Sequence, residues 1–238
     1  GNLKKLILEI SCLATFEPLN TFDWSNKIIN NEELSSIVVQ QIVNPKKEIN
    51  LKKTINSNQI KNHVSLKVKD QYENNPYPRW EKIALASKPK KVINFFNNLD
   101  LKINEKNIKN WNKVNVLVAG CGTGQHAITT ATKYKNSYIT AIDLSASSLS
   151  YAKRKADELE IENIQFIQMD LLDLKNFGKK FDIIESVGVL HHMEDPFNGW
   201  KILNDILNTN GMMMIGLYSK IARQHIERIR NDIIKINI

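Results

Sequence analysis

The 238-residue chain is 42% hydrophobic and 24% charged, which is ordinary for a globular domain, so disorder is not the default reading. Its formal charge of +8 admits nucleic acid or an acidic partner. Lysine, asparagine and isoleucine recur along the whole length, however, so a solvated basic surface is the simpler reading and nucleic acid the weaker one.

No run reaches the roughly 20 apolar residues that cross a bilayer, so no membrane partner is expected. Cys12 and Cys121 lie far apart without metal or redox spacing, which suits a reducing, cytoplasmic setting. Residues 1–85 read as a small, mainly helical region. Leu3, Leu6, Ile7, Ile10 and Leu13 recur at helical spacing, and Glu9 inside that run argues against a signal peptide. A second helix is expected over Glu32–Val43. The polar, lysine-rich stretch from Asn44 to Asn62 reads as an exposed connection with little fixed structure. Within 71–80, Pro76 and Pro78 forbid a continuous helix and fix an extended turn. Tyr72, Tyr77 and Trp80 beside them supply more aromatic surface than linkers carry.

Residues 86–238 read as the second domain, and from Val114 strands alternate with helices. Val114–Ala119 is a short apolar run, with a helix from about Gln125. Tyr138–Ile142 is the next strand, closed by Asp143, and Ser145 caps a helix whose apolar face is Leu149, Ala152, Ala156 and Leu159. Ile164–Ile167 and Phe181–Ser186 follow as strands. Asp195 and Pro196 start another helix, and Met212–Leu217 is the fifth strand. A last helix carries a stripe of Ala222, Ile226, Ile229 and Ile233. This alternation predicts an α/β fold, a Rossmann-like parallel sheet with helices on both faces. The chain opens on Gly1 and closes at Ile238 within a helical pattern, so both ends read as cut.

The strongest motif is Ala119-Gly120-Cys121-Gly122-Thr123-Gly124-Gln125. Glycines at alternate positions let a ligand approach the backbone, and the amides opening the next helix favour an anionic group. In a dinucleotide site that group is a pyrophosphate; in an adenosylmethionine site it is the methionine carboxylate. The dinucleotide fingerprint G-x-G-x-x-G would place glycine at position 125. Gln125 stands there instead, which disfavours a nicotinamide-dependent oxidoreductase. Asp143, just past the second strand, can accept from both ribose hydroxyls. Asp170 can accept from an adenine amino group while Leu171 covers the ring.

With these residues in place, positions 114–218 resemble the class I S-adenosylmethionine-dependent methyltransferases. Gly120, Gly122 and Gly124 match the first family motif, Asp143 the acidic residue after strand two, and Asp170 the adenine-contacting acid. Residues 187–192 resemble the segment after strand four. The 75–80 segment, Asn-Pro-Tyr-Pro-Arg-Trp, also resembles a bacterial group in which tetratricopeptide repeats precede such a domain, although no repeat is visible here. The resemblance implies S-adenosylmethionine as cofactor, held by Gly120 to Gln125 (Cys121 and Thr123 included), by Asp143, Leu144 and Ser145, by Asp170 and Leu171, and by Val187 and Gly188. The family sheet has seven strands, so a sheet stopping after the fifth is expected to be truncated.

Methyl transfer needs alignment of donor and nucleophile, with a base only where the nucleophile carries a proton. His191 and His192 are the candidates for that base, and Glu185 is a candidate polar wall. No metal site is expected, since adjacent histidines diverge and lack a third ligand. Tyr72, Tyr77, Arg79 and Trp80 are expected to cap the site, with Arg79 pairing the methionine carboxylate. The acceptor is expected to be a small molecule or a protein side chain. The competing non-enzyme reading is a cofactor-binding regulatory or scaffolding module.

Overall fold

The computed structural model describes residues 2–97, 105–108, 111–219 and 221–236, so both terminal residues, Gly1 and Ile238, lie outside the described residues. The chain divides into two units, Gly1–Ile55 and Asn56–Ile238. Residues 56–85, grouped with the helical region on sequence grounds, sort with the second unit.

In the first unit, α1 (Asn2–Leu13) contributes Ile10 to a core shared with Leu19, Leu34, Val38 and Ile42, with Ile7 and Leu13 packed against it. Helix α2 (Ser35–Val38) runs through a π-helical turn, Val39–Val43, into α3 (Asn44–Lys52). The stretch from Asn44 is therefore helical to Lys52, where an unstructured connection was expected. Its lysines, glutamate and leucine are good helix formers although they carry no apolar period. Pro45 lies in the first turn of α3, where a missing N–H costs least, and the wider π turn precedes it. Gln41, inside that turn, accepts from the Leu19 amide (3.0 Å) and donates to the Ala14 carbonyl (2.6 Å).

Among the described residues, the second unit is built on a six-stranded sheet. Its strands are β1 (Asn56–Ser57), β2 (Val114–Ala119), β3 (Ser137–Asp143), β4 (Ile164–Gln168), β5 (Phe181–Val187) and β6 (Leu207–Gly216). They lie in the order β1-β4-β3-β2-β5-β6, and every pair is parallel. The expected fold class is thus present, with one strand more than expected. That strand, β1, adds itself to β4 at an edge, where the Ser57 hydroxyl meets Gln168 Oε1 at 2.5 Å.

Among the described residues, five helices come before the sheet's main run or within it. Asn62 Oδ1 caps α4 (His63–Asn74) by accepting from the Val64 and Ser65 amides. Short helices α5 (Val92–Phe96) and α6 (Glu105–Ile108) follow. Between β2 and β3 lies α7 (Gln125–Lys133), and between β3 and β4 lies α8 (Ala146–Glu158). Ser145 caps α8, its Oγ accepting from the Ser148 amide. Beyond β5, Asp195 caps α9 (Pro196–Asp205), which leads into β6, and α10 (Gln224–Ile236) comes last. Ala222 therefore precedes α10, while Ile226, Ile229 and Ile233 sit on it, exposed.

Right-handed crossovers put α7 and α8 on one face of the sheet and α9 on the other. Leu117, Ala119, Ile142, Ile167, Ile184, Leu190 and Leu203 are buried in one cluster, each leucine or isoleucine side chain contributing about 1.5–3 kcal/mol. Connections from β2 run toward β3 and β4, whereas those from β5 run toward β6. The order reverses between β2 and β5, and a crevice opens there at the carboxyl ends of the strands. Among the described residues no helix is long and apolar enough to cross a membrane.

Candidate functional site

A cavity of about 400 Å³ occupies that crevice, within the size range of small-molecule sites. Strand β2 delivers the glycine loop to it. Gly120, Gly122 and Gly124 all have positive φ (75°, 53° and 83°). Their reasons differ. A Cβ on Gly124 would lie 2.5 Å from Ala152 Cβ, so this glycine lets α7 pack on α8. A Cβ on Gly122 would meet nothing nearer than the Tyr77 carbonyl at 3.9 Å, so this position is left open on the cavity side.

Strand β3 delivers Asp143. Its Oδ2 accepts from the Gly122 amide (2.8 Å) and its Oδ1 from the Ser145 amide (2.9 Å). Each carboxylate oxygen keeps a further lone pair for a ligand. Burial pushes the Asp143 carboxyl up, and the amides of Ser145, Gly122 and Leu144 act in the opposite sense. Strand β4 ends at Gln168, whose amide donates to the Leu144 carbonyl (2.9 Å). Asp170 follows, 4% exposed, with Oδ1 capping the Leu172 amide (3.0 Å).

Most of the residues expected to hold a ligand line this cavity: Gly120, Cys121, Gly122, Thr123, Gln125, Asp143, Leu144, Asp170, Leu171, Val187 and Gly188. Gly124 and Ser145 are not among its lining residues. They act behind it, Gly124 in helix packing and Ser145 as a cap. Burial pushes the Cys121 thiol well up, which keeps it an unreactive part of the wall.

The segment after α4 folds over the loop. The Thr123 hydroxyl donates to the Pro78 carbonyl (2.6 Å), and the Trp80 indole N–H donates to the Thr123 carbonyl (3.0 Å). Trp80 is 7% exposed and meets the Tyr151 ring edge-on, with centroids 6.0 Å apart. Tyr151 in turn donates its hydroxyl to the Trp80 carbonyl. Tyr72, Tyr77 and Pro78 line the cavity. Arg79 is not among the lining residues; its guanidinium lies over the Tyr151 ring, 4.7 Å from the centroid.

The two histidines after β5 part company. His192 lines the cavity and His191 does not. The His191 ring sits between His192 (4.3 Å) and Tyr218 (4.0 Å), and both its nitrogens are buried without a hydrogen-bond partner among the described residues. Burial pushes the His192 imidazole below its ordinary range, and the Arg223 charge lowers it further. His191 is lowered by burial, then by the charges of His192 and Arg223. A neutral His192 suits a proton acceptor.

Sequence reasoning did not find Ser65, Val68, Met169, Met193 or Tyr218, which also line the cavity, nor His126. The histidine stands two residues past the third glycine, but nothing local marks it. Its partner Glu185, 2% exposed on β5, approaches His126 Nε2 at 2.7 Å. Glu185 itself is not among the lining residues. Among the described residues no group of three or more His, Cys, Asp or Glu is placed to hold a metal ion.

A family model described as a methyltransferase domain matches residues 111–234. An uncharacterized protein of Synechococcus is 37% identical over 119 residues, which cover 50% of this chain and 28% of that protein. N-methyltransferase 4 of Papaver somniferum is 29% identical over 121 residues, covering 49% and 34%. Among solved structures, PKMT2 from Rickettsia typhi in complex with AdoHcy is 30% identical, with a TM-score of 0.39, covering 42% of this chain and 20% of that one. The chain thus spans at most about a third of the length of each of these relatives.

Proposed function

Since the chain belongs to the methyltransferase-domain family, we propose that its cavity holds S-adenosylmethionine and that the domain transfers the methyl group to an oxygen, nitrogen or carbon nucleophile of a small-molecule or protein acceptor. The observation that carries this reading is the arrival at one 400 Å³ cavity of three successive strand ends, each with the group one part of the donor needs. The glycine loop ends β2, Asp143 ends β3, and Asp170 with Leu171 follows β4.

The residues fit the donor. Asp143 retains lone pairs for the two ribose hydroxyls after serving the Gly122 and Ser145 amides. Asp170 is buried at the far end with one oxygen committed to Leu172, and Leu171 beside it covers the adenine. At Gly122 the open space lets the ligand approach the backbone. The bound donor supplies an already activated methyl group, so the chain's task is alignment and exclusion of water. Tyr72, on α4, and Tyr77, carried by the segment latched to Thr123, cover the cavity. His192 stands where it can take the proton of a nucleophile that carries one.

Calorimetric titration with S-adenosylhomocysteine, with NADH and an Asp143→Ala variant in parallel, tests the reading. Binding of the first ligand alone, weakened in the variant, is expected. A folded chain that binds NADH and not S-adenosylhomocysteine would overturn it.

A further inference from the structure

Glu185 is a carboxylate on a core strand, 2% exposed, between Ile184 and Ser186. Burying a charge there demands compensation. Three of the groups that compensate it lie on one face of α7, at positions 126, 130 and 133, and the side chain of Tyr134, just past that helix, also hydrogen-bonds to the carboxylate. The Thr130 hydroxyl donates to Oε2 (2.6 Å), Lys133 Nζ lies 3.5 Å from Oε1, and His126 Nε2 lies 2.7 Å from Oε2. Thr130 and Lys133 already supply a hydrogen bond and a countercharge. Only His126 of the three also lines the cavity, with its side chain 37% exposed.

An ionised carboxylate only accepts hydrogen bonds, so the Glu185 contact fixes the proton on His126 Nε2. Among the described residues no protein group bonds to Nδ1, which is left to a ligand. Where that ligand group lies follows from the sheet order. Asp170 follows β4 and Asp143 ends β3, so the adenine and ribose of the donor lie over those strands. The next strands in the sheet are β2 and β5, from which α7 starts and which carry Glu185. The remaining part of the donor, its amino-acid end, therefore extends toward His126. Arg79, the residue expected on sequence grounds to meet that end, lies on the Tyr151 ring instead.

We propose that His126, oriented by the buried Glu185, binds the amino-acid end of the methyl donor. The proposal rests on the S-adenosylmethionine reading of the cavity and assigns a residue within it. His126 contacts the cofactor; Glu185 is a positioning residue that acts through it.

The test compares two ligands on the full chain. S-adenosylhomocysteine carries the amino-acid end, and 5′-methylthioadenosine keeps the adenosine and thioether without it. His126→Ala is expected to weaken the first by about tenfold to a hundredfold, the loss of one hydrogen bond to a charged group, and to leave the second within about twofold. Glu185→Gln is expected to weaken only the first, and His126→Gln to restore part of the loss. Thermal melting establishes that each variant is folded. A merely structural role would weaken both ligands together, and that result, like no effect on either, would overturn the proposal. A wild-type chain that binds neither ligand would remove the donor reading and the proposal with it, a result separable from selective failure in the variants.

Discussion

Replacing Gly124 with alanine puts the packing of the glycine loop to a quantitative test. Two costs add. The residue has φ +83°, and a side chain held in the left-handed region costs about 1–2 kcal/mol. The new Cβ would also lie 2.5 Å from Ala152 Cβ and 3.1 Å from Ala152 Cα. Because the second atom is backbone, α8 itself must shift, and overpacking of this kind costs about 1–3 kcal/mol. The expected loss is about 2–5 kcal/mol, read from urea denaturation followed by circular dichroism. Ala152→Gly in the same chain removes the nearest contact and should return part of the steric share, less the roughly 1 kcal/mol that glycine costs in a helix. A strongly positive coupling in this double-mutant cycle is the signature of contact. Gly124→Ala within about 0.5 kcal/mol of wild type would refute the packing argument. Gly122→Ala is the control. It bears the backbone cost without the clash, so it should lose about 1–2 kcal/mol of stability while harming ligand affinity more than Gly124→Ala does.

Trp80→Phe keeps most of the buried ring and loses the indole bond to Thr123, for about 0.5–1.5 kcal/mol, whereas Trp80→Ala should cost about 3–5 kcal/mol; equal losses would mean that the ring does not pack as described. Glu185 has a known sign. Burial pushes its carboxyl up, but His126, Lys133 and Thr130 outweigh burial and hold it below its ordinary 4.5. Its stabilisation is therefore present in full above pH 4.5 and lost as pH falls through the lowered value; Glu185→Gln should flatten that limb of the acid-denaturation profile, and an unchanged limb would count against the cluster. His192 should titrate below 6.5 by NMR, and Arg223→Ala should move it upward by removing a neighbouring cation; no movement would show that Arg223 does not act on it.

How much of this was legible in the sequence depends on how local the signal is. Strands β2 to β5 announce themselves as apolar runs between polar turns, and β6 through its apolar second half. The glycines, Asp143 and Asp170 stand immediately after such runs, so a strand assignment also places them at the crevice. Strand β1 has two exposed polar residues and exists only because β4 offers an edge, a fact that no window around Asn56 contains. Helix α3 was hidden by its composition, since it buries Glu48 rather than an apolar stripe. His126 and Glu185 stand 59 residues apart, and each alone reads as an ordinary helix or strand residue. Arg79, assigned to a ligand on sequence grounds, lies over the aromatic face of Tyr151, a neighbour that no local window names.

Thr123 is held from two directions, by its hydroxyl on Pro78 and its carbonyl under Trp80, while its neighbour Gly122 is tied to Asp143. The loop proposed to meet the donor thus has few conformations left to surrender on association. Ordering costs of roughly 0.5–1.5 kcal/mol per immobilised side chain fall on the folding of the chain and not on the capture of the ligand. A strap without its tryptophan would move that entropy into the binding step, where a calorimeter would register it as weaker affinity with a more favourable enthalpy.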